Sequence, residues 1–324
     1  PMNYTTRDAV DTVFIDNLTR DKHIVVYGSS KQGKTCLRKH CLNPDDYITV
    51  HCFNRWGLRE LHAAILKKAG FEVTETDKRS VSGKTRVALR FKLGFGGIGA
   101  GGDAESEEGT AHETVTRPLE IDTEDVNDVI AALAEVEFSK YIVLEDFHYL
   151  PTETQKDFSV ALKAFHENSS FCFIIVGVWL EENRLTVYNG DLTGRVASVD
   201  ADAWTDDELR EVISTGEALL NVSFEPEFVS QLVDKCQGSV YIVQDASHHA
   251  CIQAGVHSTC DENTLVGSGL DVESLVREIV NQQTGRYNSF LSQFADGFQE
   301  TQLQMYRWLL YPILTATTEE LEEG

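Results

Sequence analysis

The fold is decided by residues 23 to 35, which read His23-Ile-Val-Val-Tyr27 and then Gly28-Ser-Ser-Lys-Gln-Gly33-Lys34-Thr35. The first five residues form a β-branched run typical of a buried strand, and the next eight match G-x-x-x-x-G-K-[ST]. In such a loop, backbone N–H groups and the positive end of the following helix hold phosphate groups. We therefore predict a phosphate-binding loop whose nucleotide contacts come from Gly28, Ser29, Ser30, Lys31, Gln32, Gly33, Lys34, Thr35 and Cys36.

Strand and helix patterns alternate outward from this loop. Apolar or β-branched runs predict strands at 47–52, 141–144 and 171–176, and apolar residues at three- and four-residue spacing predict helices between them. This alternation favours an α/β fold with a parallel sheet flanked by helices. After residue 203 we predict helices only.

Residues 72–125 interrupt the alternation, and we predict an insertion there. It contains a glycine cluster at 94–102 and an acidic run at 103–108. Residues 85–93 alternate apolar and polar, with Arg86, Arg90 and Lys92 on one face, as in a half-buried strand. We interpret this strand as a solvated edge whose charges oppose aggregation. The alternative is a hairpin for oligomer contact or for gripping a ligand.

A pair of carboxylates follows the predicted strand at 141–144. P-loop hydrolases need acidic groups at this place, one for the Mg²⁺ shell and one to activate water. We predict that Glu145 and Asp146 are catalytic and that, with Thr35, they are the metal ligands. The usual order is aspartate and then glutamate, so the reversed order predicts slower hydrolysis. His148 either senses the γ-phosphate or caps the strand end.

Polar and cationic residues also follow the predicted strand at 171–176. Loops at the carboxyl ends of parallel strands carry the chemistry of α/β folds, so Asn183, Arg184 and Arg195 are candidates to meet a γ-phosphate. We predict Arg195 as a catalytic residue that stabilises transition-state charge, either at its own site or, across a subunit boundary, at the site of a neighbour. The alternative for either arginine is a surface salt bridge.

The chain is acidic. Fifty-two acidic and 28 basic residues give a net charge of −24 over 324 residues. This charge repels nucleic-acid backbones, so it disfavours broad DNA binding.

The cysteine pattern and the hydropathy indicate in which cellular compartment the protein is expected. The seven cysteines are scattered without a CxxC pair, which predicts reduced thiols; zinc at Cys251, His257 and Cys260 is the alternative. The sequence has no apolar run long enough for a membrane span and no signal-peptide pattern, so we expect a cytoplasmic location.

The loop, the carboxylate pair and Gly194-Arg195, followed by helices, together resemble the AAA+ ATPases, particularly their STAND branch and origin-recognition-like relatives. The resemblance covers about residues 5–260. It implies ATP or ADP with Mg²⁺, a P-loop core at 1–203 and an all-helical lid at 204–268. Gln244 takes the place of the usual lid arginine and joins the nucleotide contacts with His148. Gly177 and Val178 replace a polar residue at a strand end, and both departures suit slow hydrolysis.

Residues 269–324 resemble the start of a winged-helix domain, with a terminal helical bundle as the alternative. We expect a sensor or effector region downstream. The resemblance implies an ATP-gated switch that controls homo-oligomer assembly and signalling, in the setting of antiphage defence. Two alternatives remain: a nucleic-acid-associated AAA+ loader or transposition-type regulator, and a binding-only pseudo-ATPase.

Overall fold

The computed structural model describes residues 4–79, 85–93, 115–179 and 184–283. The glycine cluster and acidic run at 94–108, Asn183, and the helix predicted beyond residue 283 lie outside the described residues. The chain divides into two compact units, with the boundary between Glu208 and Leu209. The division into core, lid and terminal segment at residues 203 and 268 stays a prediction.

The first unit alternates helices and strands, and a small antiparallel sheet interrupts this alternation. Its elements in chain order are α1 (Asp8–Leu18), β1 (His23–Tyr27), α2 (Lys34–Cys41), β2 (Tyr47–His51), α3 (Leu58–Lys68), β3 (Glu72–Arg79), β4 (Thr85–Leu93), β5 (Val115–Ile121), α4 (Val126–Glu135), β6 (Tyr141–Glu145), α5 (Thr152–Asn168), β7 (Phe173–Val176), α6 (Arg184–Tyr188) and β8 (Val196–Asp200).

The main sheet has five parallel strands in the order β2-β6-β7-β1-β8. The three central strands, β6, β7 and β1, are buried on both faces, as expected when helices cover both sides of a parallel sheet. Alternate side chains of β1 enter different layers: Val25 packs with Leu61 of α3, whereas Ile24 and Val26 pack with Phe14 of α1. The sheet is therefore fixed from both sides, and all five strands end at the same edge.

The predicted insertion contains a separate antiparallel sheet of β3, β4 and β5. β4 pairs with both neighbours, since Leu89 lies opposite Val73 and opposite Leu119. The interpretation of residues 85–93 as an edge strand is therefore wrong, because β4 is the central strand. The alternation that suggested a half-buried strand is equally typical of the middle of a one-sided sheet.

The second unit is mainly helical. It comprises most of α7 (Asp206–Leu220), then β9 (Val222–Phe224), α8 (Pro226–Lys235), α9 (Val240–Gln253), β10 (Thr264–Val266) and α10 (Val272–Gln282). β9 and β10 form a parallel pair, which corrects the expectation of helices only. Both strands have three residues, too few for a periodic signal. Among the described helices, none has the length and apolar character needed to cross a membrane.

Candidate functional site

The phosphate loop begins where β1 ends, at the carboxyl edge of the main sheet. Gly28 has a φ of 125° and Gly33 a φ of 88°, both in the region that favours glycine. The Gly28 N–H donates to the carbonyl of Trp179, just beyond β7, at 2.9 Å. α2 then starts at Lys34 with Gly33 as its N-cap. The predicted strand, loop and helix are thus present, at the sheet edge where parallel α/β folds bind ligands.

Several backbone N–H groups of this loop have no acceptor in the part of the chain that the structure describes. Among the described residues, nothing accepts a hydrogen bond from the N–H groups of Ser30, Gln32, Gly33, Thr35 and Cys36. The first N–H groups of a helix lack intrahelical partners and carry its positive dipole end. Together with the loop amides they form a concentrated set of donors for an anion.

Lys34 is buried at the base of the loop, where it is 8% exposed. Its Nζ donates to the carbonyl oxygens of Gly28, at 2.9 Å, and of Ser29. The ammonium therefore lies against the start of the phosphate loop. A lysine held here brings its charge to the phosphates that the loop amides would bind.

A short segment after β8 braces the loop. Both carboxylate oxygens of Asp202 accept the Ser29 N–H, at 2.8 and 2.7 Å. A Cβ on Gly28 would lie 2.7 Å from Asp202 Oδ1, so glycine is required for this approach. Farther along, Trp204 Nε1 lies 3.4 Å from the Gln32 carbonyl, and its ring lies beside Gly33. The segment thus contacts both ends of the loop.

Arg7 supports this brace from the residues before α1. It is fully buried, its guanidinium lies 4.2 Å from the centre of the Trp204 ring, and its Nη1 donates to the Ala201 carbonyl at 3.0 Å. Its backbone N–H donates to Asp11 at 3.2 Å. The chain before α1 therefore fixes the position of Trp204 through an arginine-aromatic contact.

Glu145, the first predicted carboxylate, is held in a buried ion pair. Its Oε1 accepts from Arg38 Nε at 3.0 Å, and the two side chains are 8% and 6% exposed. Arg38 also lies over the Tyr47 ring at 4.7 Å, and its Nη1 has no hydrogen-bond partner among the described residues. The pair connects α2 to β6. One oxygen of Glu145 is therefore committed to a protein cation before any metal is considered.

Asp146, the second carboxylate, is in a different environment. It has a φ of 59°, a conformation that costs energy for a residue other than glycine, and its side chain is 47% exposed. Its Oδ2 lies 3.6 Å from His51 Nδ1. The sharp turn carries this carboxylate away from the buried end of β6 and towards solvent.

His148 connects the ends of β6 and β7. Its Nδ1 accepts the Val178 N–H at 3.2 Å. Burial lowers the pKa of His148; the Asp146 carboxylate acts in the opposite direction, and the charges of Lys34 and Arg184 lower it further. The imidazole is therefore neutral near pH 7. The strand-end contact accounts for its position, and γ-phosphate sensing stays a prediction.

Trp179 directly follows Gly177 and Val178, which stand at the strand end where the resemblance implies a polar residue. Its ring packs on Gly177 so closely that a Cβ there would overlap it. The indole is 6% exposed, and its Nε1 has no hydrogen-bond partner in the described part of the chain. A bulky aromatic ring thus packs on the backbone just beyond β7.

Arg195 lies at the amino-terminal ends of the strands of the main sheet, whereas the loop lies at their carboxyl ends. Its carbonyl accepts the His23 N–H at 3.0 Å, and β8 begins at the next residue, paired in parallel with β1. The expectation that Arg195 follows the carboxyl end of a strand is therefore wrong. The length of β1, roughly 16 Å at about 3.3 Å per residue, separates it from its own phosphate loop. Its Nη2 pairs with Glu167 at 2.8 Å.

The other predicted residues lie apart from this centre or only partly in it. Arg184 starts α6, and its Nε donates to Gln155 at 3.3 Å. Gln244 is exposed on α9 of the second unit, and its nucleotide contact stays a prediction.

All seven cysteines are free thiols. No described group of three or more His, Cys, Asp or Glu side chains is arranged to hold a metal, so the zinc alternative gains no support.

The groups around the loop fit a nucleotide with Mg²⁺. Free amides and an ammonium suit phosphate oxygens, and the donor set for a metal is all oxygen, as Mg²⁺ prefers. Thr35 is exposed at the start of α2, and Asp146 is open to solvent. Of the Glu145 carboxylate, only Oε2 receives no hydrogen bond from the described residues. Among the described residues, Thr35, Asp146 and Glu145 Oε2 are therefore groups that would hold the metal.

Sequence reasoning missed Arg38, Asp202, Trp204 and Arg7. A signal existed for Arg38, because it follows Lys34 by four residues and so shares its helix face. A signal for Asp202 lay in Val196 and Val199, which mark a short strand. Once β8 is placed beside β1, the residues after it must lie at the phosphate loop.

This fold and site define an α/β protein of the P-loop class. No protein-family model matches the sequence, and no curated protein matches it. Many solved structures are similar in fold, and three of them are compared with this chain. A Walker-type ATPase, PABY2304 of Pyrococcus abyssi, is 14% identical with a TM-score of 0.51, over 98% of this chain and 86% of that one.

The other two similarities are weaker. The Aeropyrum pernix ORC1 protein, solved in complex with DNA, is 12% identical with a TM-score of 0.48, over 99% of this chain and 81% of that chain. The Thermotoga maritima RuvB Holliday junction branch migration motor is 10% identical with a TM-score of 0.45, over 97% and 80% of the two chains. The chain thus has the fold of a Walker-type ATPase, and the predicted α/β class with a parallel sheet flanked by helices is confirmed.

Proposed function

We propose that this chain is an ATP-binding conformational switch that hydrolyses ATP slowly. The observation that carries the proposal is the set of loop amides without an acceptor among the described residues, on the same loop whose start the Lys34 ammonium contacts. In the proposal, the nucleotide state controls assembly of a homo-oligomer in the cytoplasm, in the manner of STAND proteins in signalling and antiphage defence.

The chain's own groups divide the work at this site. The loop amides and Lys34 bind the phosphates, and Thr35 with the carboxylates holds the metal. Bound Mg²⁺ supplies positive charge to the β- and γ-phosphates. In the proposal, Asp146 orients and deprotonates the attacking water, and the exposure of its carboxylate to solvent supports this role.

Two features support slow turnover. The Glu145 carboxylate shares its charge with Arg38, so it binds a metal less strongly than a free carboxylate would. The space beyond β7 holds Gly177 and the Trp179 ring in place of a side chain that would contact a γ-phosphate. Both features favour an ATP-bound state that persists because hydrolysis is slow.

The test of binding is a titration of the full chain with a fluorescent ATP analogue. Lys34→Ala removes the ammonium at the loop and should weaken binding by about 100-fold or more, since charged hydrogen bonds at buried sites are strong. Lys39→Ala is the matched control, because Lys39 is an exposed lysine of the same helix. Equal affinity of Lys34→Ala and the unchanged protein contradicts the proposal.

Phosphate release separates a slow ATPase from a protein that only binds. Asp146→Asn should retain nucleotide binding and lose most turnover. If the unchanged protein binds ATP and releases no phosphate above the level of Lys34→Ala, it is a binding-only pseudo-ATPase.

A further inference from the structure

One peptide unit of the phosphate loop is bound by opposite charges on its two sides. The carbonyl of the Gly28–Ser29 peptide accepts from Lys34 Nζ at 2.9 Å. The N–H of the same peptide donates to both oxygens of Asp202, at 2.8 and 2.7 Å. The Asp202 carboxylate and the Lys34 ammonium are therefore close enough to interact through the buried loop.

Asp202 lies against a loop that otherwise offers its amides to an external anion. The N–H groups of Ser30, Gln32 and Gly33 have no acceptor among the described residues, whereas that of Ser29 already has a carboxylate. A hydrogen bond from an amide to a carboxylate is charge-assisted and about twice as strong as a neutral one. The protein thus supplies an anion to its own anion-binding loop.

The position of this carboxylate is fixed by its neighbours. The Asp202 N–H donates to Asp200 Oδ1 at 2.8 Å, and the Asp202 carbonyl accepts from the Trp204 N–H at 2.8 Å. Trp204 is held in turn by the Arg7 guanidinium. Phosphate that enters the loop therefore meets the negative charge of Asp202, which has little freedom to withdraw.

We propose that the Asp202 carboxylate is an internal anion that repels nucleotide phosphate at the loop. It weakens binding more for each charge that the phosphate chain of the nucleotide adds. The inference deepens the proposed function, on which it rests. The penalty follows from Coulomb repulsion, which rises with each charge added to the ligand. It holds ATP affinity low enough for exchange while the hydrogen bond to Ser29 keeps the loop in shape.

The test measures the affinities of AMP, ADP and ATP for the full chain by calorimetry, in EDTA so that no metal contributes. Asp202→Asn keeps an oxygen for the Ser29 N–H and removes the charge. It should tighten ATP by about tenfold, ADP by about fivefold and AMP by about twofold or less. Asp16→Asn removes the same charge from an exposed pair on α1 and should change none of the three.

Asp202→Ala is a second variant for the same affinity measurements, in case Asp202→Asn alters folding. It also removes the acceptor for Ser29, so all three affinities can fall together, but the ratio of ATP to AMP affinity should still rise about fivefold. A purely structural role for Asp202 would change the three affinities equally.

The outcomes separate the two proposals. A ratio of ATP to AMP affinity that stays within twofold in both Asp202 variants overturns the inference and leaves the proposed function standing. Absence of any nucleotide binding by the unchanged protein overturns both. A graded gain in Asp202→Asn supports both.

Discussion

His23 and His62 are buried in the first unit and are neutral there. His23 Nε2 donates to the Leu162 carbonyl at 3.2 Å and its Nδ1 accepts the Phe173 N–H at 3.2 Å, a pattern that only the neutral ring satisfies. His62 Nδ1 donates to the Thr123 carbonyl at 2.7 Å. Burial lowers the pKa of His23 to about 3 and that of His62 to about 4.

These two histidines make stability depend on pH. Their folded pKa values lie below the unfolded value, so between about pH 4 and 6.5 the unfolded chain binds protons that the folded chain does not. The stabilisation is therefore complete above pH 6.5 and is lost as the pH falls. Between pH 7 and pH 5 we expect the free energy of unfolding to fall by about 2 kcal/mol per histidine, measured with urea.

A substitution assigns this pH dependence. His62→Gln keeps a donor for the Thr123 carbonyl and removes the titrating ring, so its unfolding free energy should fall less steeply with pH. His257→Gln replaces an exposed histidine and should leave the slope unchanged. If His62→Gln keeps the full slope, the buried ring is not the source.

At the scale of elements, the Arg38–Glu145 pair ties the helix that starts at the phosphate loop to the strand that carries the carboxylates. Both side chains are buried, so removal of one leaves an uncompensated charge in the core. We expect Arg38→Met to lower the free energy of unfolding by about 3–5 kcal/mol, measured with urea.

A double-mutant cycle distinguishes the ion pair from simple loss of packing. In Arg38→Met with Glu145→Met no buried charge is left, so the double variant should be more stable than either single variant. Arg20→Met removes an exposed partner of Asp16 and should cost less than about 1 kcal/mol. Additive effects of Arg38→Met and Glu145→Met would contradict a coupled pair.

At the scale of the whole molecule, Arg195 and the phosphate loop lie at opposite edges of one sheet. A role for Arg195 at its own loop is excluded by the length of β1. The role that we propose is therefore at the loop of a neighbouring subunit, where its charge would stabilise the transition state. To contact that neighbouring loop, the Arg195 side chain would have to leave its ion pair with Glu167.

Mixed oligomers test this role. Arg195→Ala and Asp146→Asn should each lose most turnover when assayed alone. An equimolar mixture should regain about a quarter of the turnover, because one site in four then combines an intact Asp146 with a neighbour's intact Arg195. Phosphate release by the mixture is the measurement. Full turnover by Arg195→Ala alone, or no recovery on mixing, contradicts a contribution across the interface.

The sequence predicted much of the core because several signals there are local. The run from His23 to Tyr27, the glycines at 28 and 33 and the apolar strands at 47–52 and 141–144 each specify one element, and the structure has β1, the loop, β2 and β6 at those places. β8, β9 and β10 were missed, since Ser198 and Asp200 interrupt the apolar residues of β8, and β9 and β10 have only three residues each.

The sequence by itself determined the phosphate loop, the alternating fold and the presence of a carboxylate pair after a buried strand. Only the tertiary structure decided which charges meet. Arg38 and Glu145 are 107 positions apart, and Ser29 and Asp202 are 173 apart. Spacing along the chain carries no information about such pairs, because parallel strands bring distant segments to one edge of the sheet.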